Sequence, residues 1–130
     1  KLNHIEIEPT MGDLADWANN KDKIYPVKYA TDLYFRFVSI HPFGNGNGRT
    51  ARLLMNLALI EAGYPVVNVF PDKKSRNKYI DVLANRRLEN APEIFENLIG
   101  EYTEKALKNR IKILELNEHN IEQARKEINL

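Results

Sequence analysis

The amino-acid sequence predicts an all-α protein, a compact helical bundle with one short β-strand at its start, and three observations carry that expectation. Apolar residues recur at three- and four-residue steps through most of the 130 residues. Pro, Gly and Asn punctuate those runs where helices begin and end. Only Asn3-His4-Ile5-Glu6-Ile7-Glu8 alternates apolar with polar residues before Pro9, the pattern of a short strand.

The length suits one domain, large enough to bury a core without staples. Nineteen basic residues nearly cancel 18 acidic ones, so the overall charge argues for neither nucleic acid nor an anionic membrane. The chain has no cysteine, which removes disulfides, thiol nucleophiles and zinc–thiolate sites and sits well in a reducing cytoplasm. No apolar run approaches the length of a membrane span, and no signal peptide is visible. The chain starts at Lys1 without a methionine, which reads as a processed or truncated end.

After the strand, Thr10 is the candidate N-cap of a helix reaching about Asn20, with Met11, Leu14, Ala15 and Trp17 on its apolar side. A polar loop, Asn19–Lys23, follows. Pro26 opens the next helix, where its missing N–H costs nothing. Val27, Ala30, Leu33, Tyr34, Phe37 and Val38 mark the buried face, and His41 continues it four residues after Phe37. Pro42 ends that helix at His41, and Phe43 is expected to plug the following turn into the core. The helix from Arg49 to Ala62 has almost no polar face and is expected to be buried on most sides. Gly63 and Tyr64-Pro65 stop it.

Val66–Phe70 reads as an extended connector, and Pro71 opens a helix through about Arg86 with Tyr79, Val82 and Leu83 inward. Asn90 and Pro92 begin the longest helix, and Asn117-Glu118-His119-Asn120 is expected to break it. Ile121, Ala124 and Ile128 then form a short amphipathic helix with a face for the body or for a neighbouring molecule, an oligomer contact in the latter case. The division is therefore a core domain over 1–117, with the strand at 1–9, and a C-terminal amphipathic helix over 118–130.

The chain is organised around His41-Pro42-Phe43-Gly44-Asn45-Gly46-Asn47-Gly48-Arg49-Thr50-Ala51-Arg52. Three of the six glycines, Gly44, Gly46 and Gly48, fall within five residues here. A helix starting near Asn47 directs its first N–H groups, which lack intrahelical partners, toward the turn. Arg49 and Arg52 lie three apart on that first turn, where the helix dipole disfavours cations, so their presence points to a shared anion. With His41 closing the preceding helix, the stretch reads as a nucleotide site with a base beside it.

These residues resemble the signature of the Fic (Fic/Doc) family, His-x-Phe-x-Asp/Glu-Gly-Asn-Gly-Arg-x-x-Arg. Every fixed position matches except one, where Asn45 replaces the usual acid. The resemblance implies a Fic-type helical bundle and nucleotidyl transfer, with AMP moving from ATP to a Ser, Thr or Tyr hydroxyl of a target protein and pyrophosphate leaving. His41 would act as base, and Gly44, Gly46, Asn47, Gly48, Arg49 and Arg52 would hold the phosphates. Position 45 binds Mg²⁺ in the family; an amide oxygen is an acceptable hard ligand but carries no charge. The segment carrying Lys78-Tyr79 resembles one whose tyrosines border the base, so Tyr79 carries that role, with plain core packing as the other reading.

The initial strand resembles the second strand of the family's β-hairpin flap, which docks the target by strand addition, here through His4, Ile5, Glu6 and Ile7; an ordinary edge strand or tail fits equally. The family's inhibitory motif, Ser/Thr-x-x-x-Glu-Gly/Asn, is not found in residues 1–130. Such a restraint on Arg52 is therefore expected upstream of Lys1, with supply by a separate antitoxin-like partner or its absence as the other readings. Transfer of a phosphate, as in the Doc branch, is disfavoured because Gly46-Asn47-Gly48-Arg49 stands where that branch usually has Ala-Asn-Lys-Arg. Transfer of another nucleotide or phospho group, and a nucleotide-binding module of low activity, are the alternatives that stay open.

Overall fold

In a computed structural model the described residues are 2–20, 25–68, 74, 77, 78, 80–82 and 92–129. Four helices are described over their length: α1 (His4–Asn19), α2 (Pro26–Ile40), α3 (Asn47–Glu61) and α4 (Pro92–Ile128). Helix α2 is the hub, packing on α3 most extensively and also on α1 and α4. No strand occurs among the described residues.

The first helix corrects the expected strand at 1–9. Asn3 is its N-cap, and its side-chain oxygen accepts from the N–H groups of Ile5 and Glu6 at 3.0 and 3.2 Å. Glu6 returns the bond, accepting from the Asn3 N–H at 3.2 Å, which completes a capping box. His4, Ile5, Glu6 and Ile7 are therefore helical and present no strand edge for a target segment. The physical reason is that Met11, Leu14 and Ala18 pack on the core from one helical face that half-buried Ile7 extends, whereas two isoleucines alone satisfy either period. Pro9 lies inside α1 and removes the donor for the Ile5 carbonyl, at an exposed position where water replaces it. Thr10 is no cap; its hydroxyl donates to the Glu6 carbonyl at 2.6 Å.

Pro26 begins α2, as its fixed φ and missing N–H favour. Tyr29, Ala30, Leu33, Tyr34, Phe35, Phe37 and Ile40 are buried. Trp17 of α1 stacks on Tyr29 at 5.3 Å between centroids, and the Arg36 guanidinium lies 4.2 Å over the same indole. Phe95 of α4 meets Phe35 edge-to-face at 4.7 Å and Tyr34 at 5.2 Å. That aromatic cluster fixes α4 to the hub.

Helix α3 is less enclosed than its composition suggests. Ala51, Met55, Ala58 and Leu59 are buried, but Leu53, Leu57 and Ile60 are about half exposed, because the described elements cover one side of it. Its C-terminus closes with Gly63 at φ 92°: the Gly63 N–H donates to Ile60 and the Tyr64 N–H to Leu59, both at 2.9 Å, a Schellman motif. The connector then packs back on α3. Asn56 accepts from the Val67 N–H at 2.8 Å and donates to the Val67 carbonyl at 3.2 Å.

The helix expected from Pro71 to Arg86 is described only at 74, 77, 78 and 80–82, all helical; Tyr79 and Asn90 lie outside the described residues. Helix α4 runs through 117–120 without the expected break, for 37 residues, or about 55 Å. Asn, Glu, His and Asn are only mildly unfavourable in a helix, and neither Gly nor Pro is present to interrupt it. No described helix is long and apolar enough to cross a membrane.

Candidate nucleotide site

The site is the junction of α2 and α3. His41 is the C-cap of α2, its N–H bonded to the Phe37 carbonyl at 3.1 Å, and its backbone is left-handed at φ 54°, ψ 57°. Pro42 disfavours the right-handed helical region for His41, and a non-glycine residue in this conformation is uncommon and strained. His41 is the sole non-glycine residue with positive φ among those described. The chain thus reverses at the histidine itself, and six residues later α3 begins.

Asn47 closes the turn. Its side-chain oxygen accepts from the Phe43 N–H at 3.0 Å while its amide nitrogen donates to the Phe43 carbonyl at 2.8 Å. Asn47 is 5% exposed, so this reciprocal pair satisfies a peptide group that the turn would otherwise leave unpaired near the core. Phe43 does not plug the core as expected; it is 52% exposed, and its ring is tilted 51° to that of Phe37, 6.1 Å between centroids. The peptide of Phe43, more than its ring, ties the turn down.

Gly46 is the N-cap of α3 at φ 84°, and no side chain caps the helix there. The first ladder bond is from the Thr50 N–H to the Gly46 carbonyl at 3.0 Å, reinforced by the Thr50 hydroxyl at 2.9 Å. The N–H groups of Asn47, Gly48 and Arg49 precede that bond, at the positive end of the helix dipole.

Both arginines fold back over this end. The Arg49 guanidinium lies 3.5 Å from where a Cβ on Gly46 would sit, and that of Arg52 lies 3.5 Å from the same point on Gly48. Helical side chains lean toward the N-terminus, so residues at these two steps deliver two cations to the glycines. Arg49 is exposed and Arg52 half-buried. The structure therefore brings the guanidiniums of Arg49 and Arg52 to Gly46 and Gly48, with Asn47 buried at the start of the same helix and His41, Gly44 and Asn45 on the turn that leads into it. It does not bring His4, Ile5, Glu6 and Ile7 into a strand.

The Asn45 side-chain oxygen accepts from the Gly46 N–H at 2.9 Å. That oxygen keeps one lone pair, and no cluster of three or more His, Asp or Glu able to hold a metal occurs among the described residues. The chain's own groups here fit a single neutral contact to a hydrated cation, not a metal cage. Asn56 is the residue that sequence reasoning missed; one asparagine in an apolar helix is the only signal it leaves.

The Fic/DOC family profile matches residues 2–59, the span from the start of α1 through most of α3. The protein adenylyltransferase Fic of Aedes aegypti is 41% identical over 112 residues, 78% of this chain and 21% of that protein. Its namesake in Drosophila melanogaster is 43% identical over the same length, again 78% of this chain and 22% of that protein. The chain thus spans about a fifth of the curated relatives it matches. Among solved structures, a fragment of Fic-1 from C. elegans superposes with a TM-score of 0.76 at 29% identity, covering 82% of this chain and 32% of that one. A Fic domain-containing signalling protein from Bacteroides thetaiotaomicron gives 0.61 at 31% identity, with 79% and 42% covered. With the signature turn, the helices around it and these relatives in agreement, the chain belongs to the Fic/DOC family.

Proposed function

We propose that this chain is a protein adenylyltransferase that moves AMP from ATP to a hydroxyl side chain of a target protein. The observation that carries the proposal is the convergence of the Arg49 and Arg52 guanidiniums on the glycine-rich start of α3, directly after a histidine held in a left-handed turn. Relatives bearing the name adenylyltransferase support it.

The target hydroxyl oxygen attacks the α-phosphorus, a new P–O bond forms, and the bond to the β-phosphate bridging oxygen breaks to release pyrophosphate. His41 accepts the hydroxyl proton. The N–H groups of Asn47, Gly48 and Arg49 face the charge that builds on the phosphate oxygens, while Gly44 and Gly46 let the phosphates approach the backbone. Arg49 and Arg52 bind the β- and γ-phosphates and stay bound to the leaving pyrophosphate. Mg²⁺ belongs to the substrate, arriving on ATP, with Asn45 offering it one neutral oxygen. The family resemblance assigns Tyr79, which lies outside the described residues, to the edge of the base, with core packing as the other reading. A restraint on Arg52 would come from a segment or partner beyond these residues. The absence of cysteine suits a cytoplasmic setting.

Intact mass after incubation with ATP and Mg²⁺, with and without cell lysate, tests the proposal against a His41→Ala control. An AMP-sized increase on this chain or on a lysate protein, absent in the control, is the expected result. ATP binding without any adduct would reduce the chain to a nucleotide-binding module, and no binding at all would overturn the site.

A further inference from the structure

Gly46 and Asn47 share the peptide on which α3 starts. Its carbonyl accepts from two donors of one residue, the Thr50 N–H at 3.0 Å and the Thr50 hydroxyl at 2.9 Å. Its N–H, that of Asn47, makes no hydrogen bond among the described residues, as befits the first turn of a helix. The peptide is trans, so carbonyl and N–H point in opposite directions. Whatever holds the carbonyl down the helix therefore aims the N–H out of its positive end. The plane is otherwise soft, because Gly46 is left-handed at φ 84° and no side chain caps the helix there. Thr10, Thr31 and Thr103 also donate to carbonyls four residues back. Thr50 alone of the four does so to a capping residue. Such back-bonding slightly destabilises a helix, so helix stability does not account for a hydroxyl at this position.

We propose that Thr50 is a positioning residue for the transfer: its hydroxyl fixes the Gly46–Asn47 peptide so that the Asn47 N–H meets the phosphate oxygen on which negative charge grows. The inference rests on the adenylyl-transfer reading of the site. Thr50 acts through this backbone donor and takes no proton itself, since its own hydrogen is spent on the Gly46 carbonyl. A donor already set in direction needs no reorganisation as charge develops. With the hydroxyl gone, the carbonyl keeps only its ladder bond, and the peptide rocks about a glycine that has no side chain to stop it. The N–H then spends less of its time in line with the oxygen. Ground-state ATP is held mainly by the charges of Arg49 and Arg52. Loss of the hydroxyl therefore slows the transfer more than it weakens ATP binding.

Two variants test it. Thr50→Val keeps the shape and removes the hydroxyl, and Thr50→Ser keeps the hydroxyl and removes the methyl. The rate of AMP-adduct formation, read by intact mass in lysate across a range of ATP concentrations, separates the two effects. In Thr50→Val the saturating rate should fall about tenfold, while half-saturating ATP stays within about threefold of the parent. Thr50→Ser should return the rate to within about twofold, and both variants should melt close to the parent. A Thr50→Val rate equal to the parent's overturns the proposal. So does a Thr50→Ser rate as low as that of Thr50→Val, which assigns the effect to packing of the methyl, or a change in half-saturating ATP alone. The Asn47 amide resonance supplies a readout without turnover. Inorganic pyrophosphate should shift it in the parent and in Thr50→Ser, and at most half as far in Thr50→Val; equal shifts in all three overturn the positioning. A parent that forms no adduct overturns the transfer reading instead, and a hydroxyl-dependent shift then still supports Thr50 aiming the Asn47 N–H at an anion.

Discussion

Asn47 and Phe43 hold each other by two hydrogen bonds, the Asn47 side chain donating to and accepting from the same peptide at 2.8 and 3.0 Å. Only an amide offers a donor and an acceptor at that separation, and the pair sits under the turn that carries the candidate base. Asn47→Ala should cost roughly 1–3 kcal/mol, because it leaves the Phe43 N–H and carbonyl unpaired near the core. A thermal melt reads the loss, and an unchanged midpoint would contradict the bracing role. Asn47→Asp should fall in the same range, since the carboxylate accepts but cannot donate.

Gly46 is constrained by its left-handed backbone, while the Arg49 guanidinium lies in ordinary contact range, 3.5 Å from the place a Cβ would occupy. Gly46→Ala should lower stability by about 1 kcal/mol. Its larger effect should be on nucleotide affinity, because the methyl would stand where phosphate oxygens approach the backbone of the helix start. Calorimetric titration with ATP checks this; affinity equal to the parent would show that the phosphates do not approach the backbone at Gly46.

Asn56 clamps the connector through both backbone groups of Val67. Asn56→Ala should destabilise by roughly 1–2 kcal/mol and raise amide exchange at Val67 well above that of the α3 core. Exchange at Val67 matching the parent would show that burial alone holds the connector.

Asn45→Asp adds a charge to an exposed turn whose oxygen already accepts from Gly46. The variant should bind Mg²⁺–ATP more tightly than the parent while leaving Mg²⁺-free ATP unchanged or weaker, which titrations with and without the metal separate. Equal affinities in both conditions would place the metal away from residue 45.

Pro9 stands inside α1, where it removes one ladder bond. Pro9→Ala should stabilise the protein, by up to about 3 kcal/mol if the helix is otherwise unstrained. A loss of stability would mean that the first turns of α1 favour an extended form, as the alternation at residues 3–8 first suggests.

The turn, its histidine and its two arginines are legible in the sequence because their chemistry is local. Pro42 sets the backbone of His41, Gly46 permits a left-handed cap, and residues at 49 and 52 share the first turn of any helix beginning at 47. Helix ends marked by Pro26 and Gly63 read correctly for the same reason. The start of α1 does not, because Ile5 and Ile7 satisfy a strand and a helix alike; the Asn3–Glu6 box was the local signal that separates them. The burial of α3 was overread, since apolar composition cannot say which face finds a partner.

The sequence by itself determined that a helical chain would present two cations and a histidine around a glycine-rich helix start, for that arrangement follows from residue spacing along one strand of backbone. Only the tertiary structure decided that the Asn47 amide is spent on Phe43, that Asn56 ties down Val67, and that α4 runs unbroken past the bundle. Each of those depends on which groups meet across space or on whether neighbours cover a face, and hydrogen-bond partners and burial are properties of the packed chain, not of its order of residues.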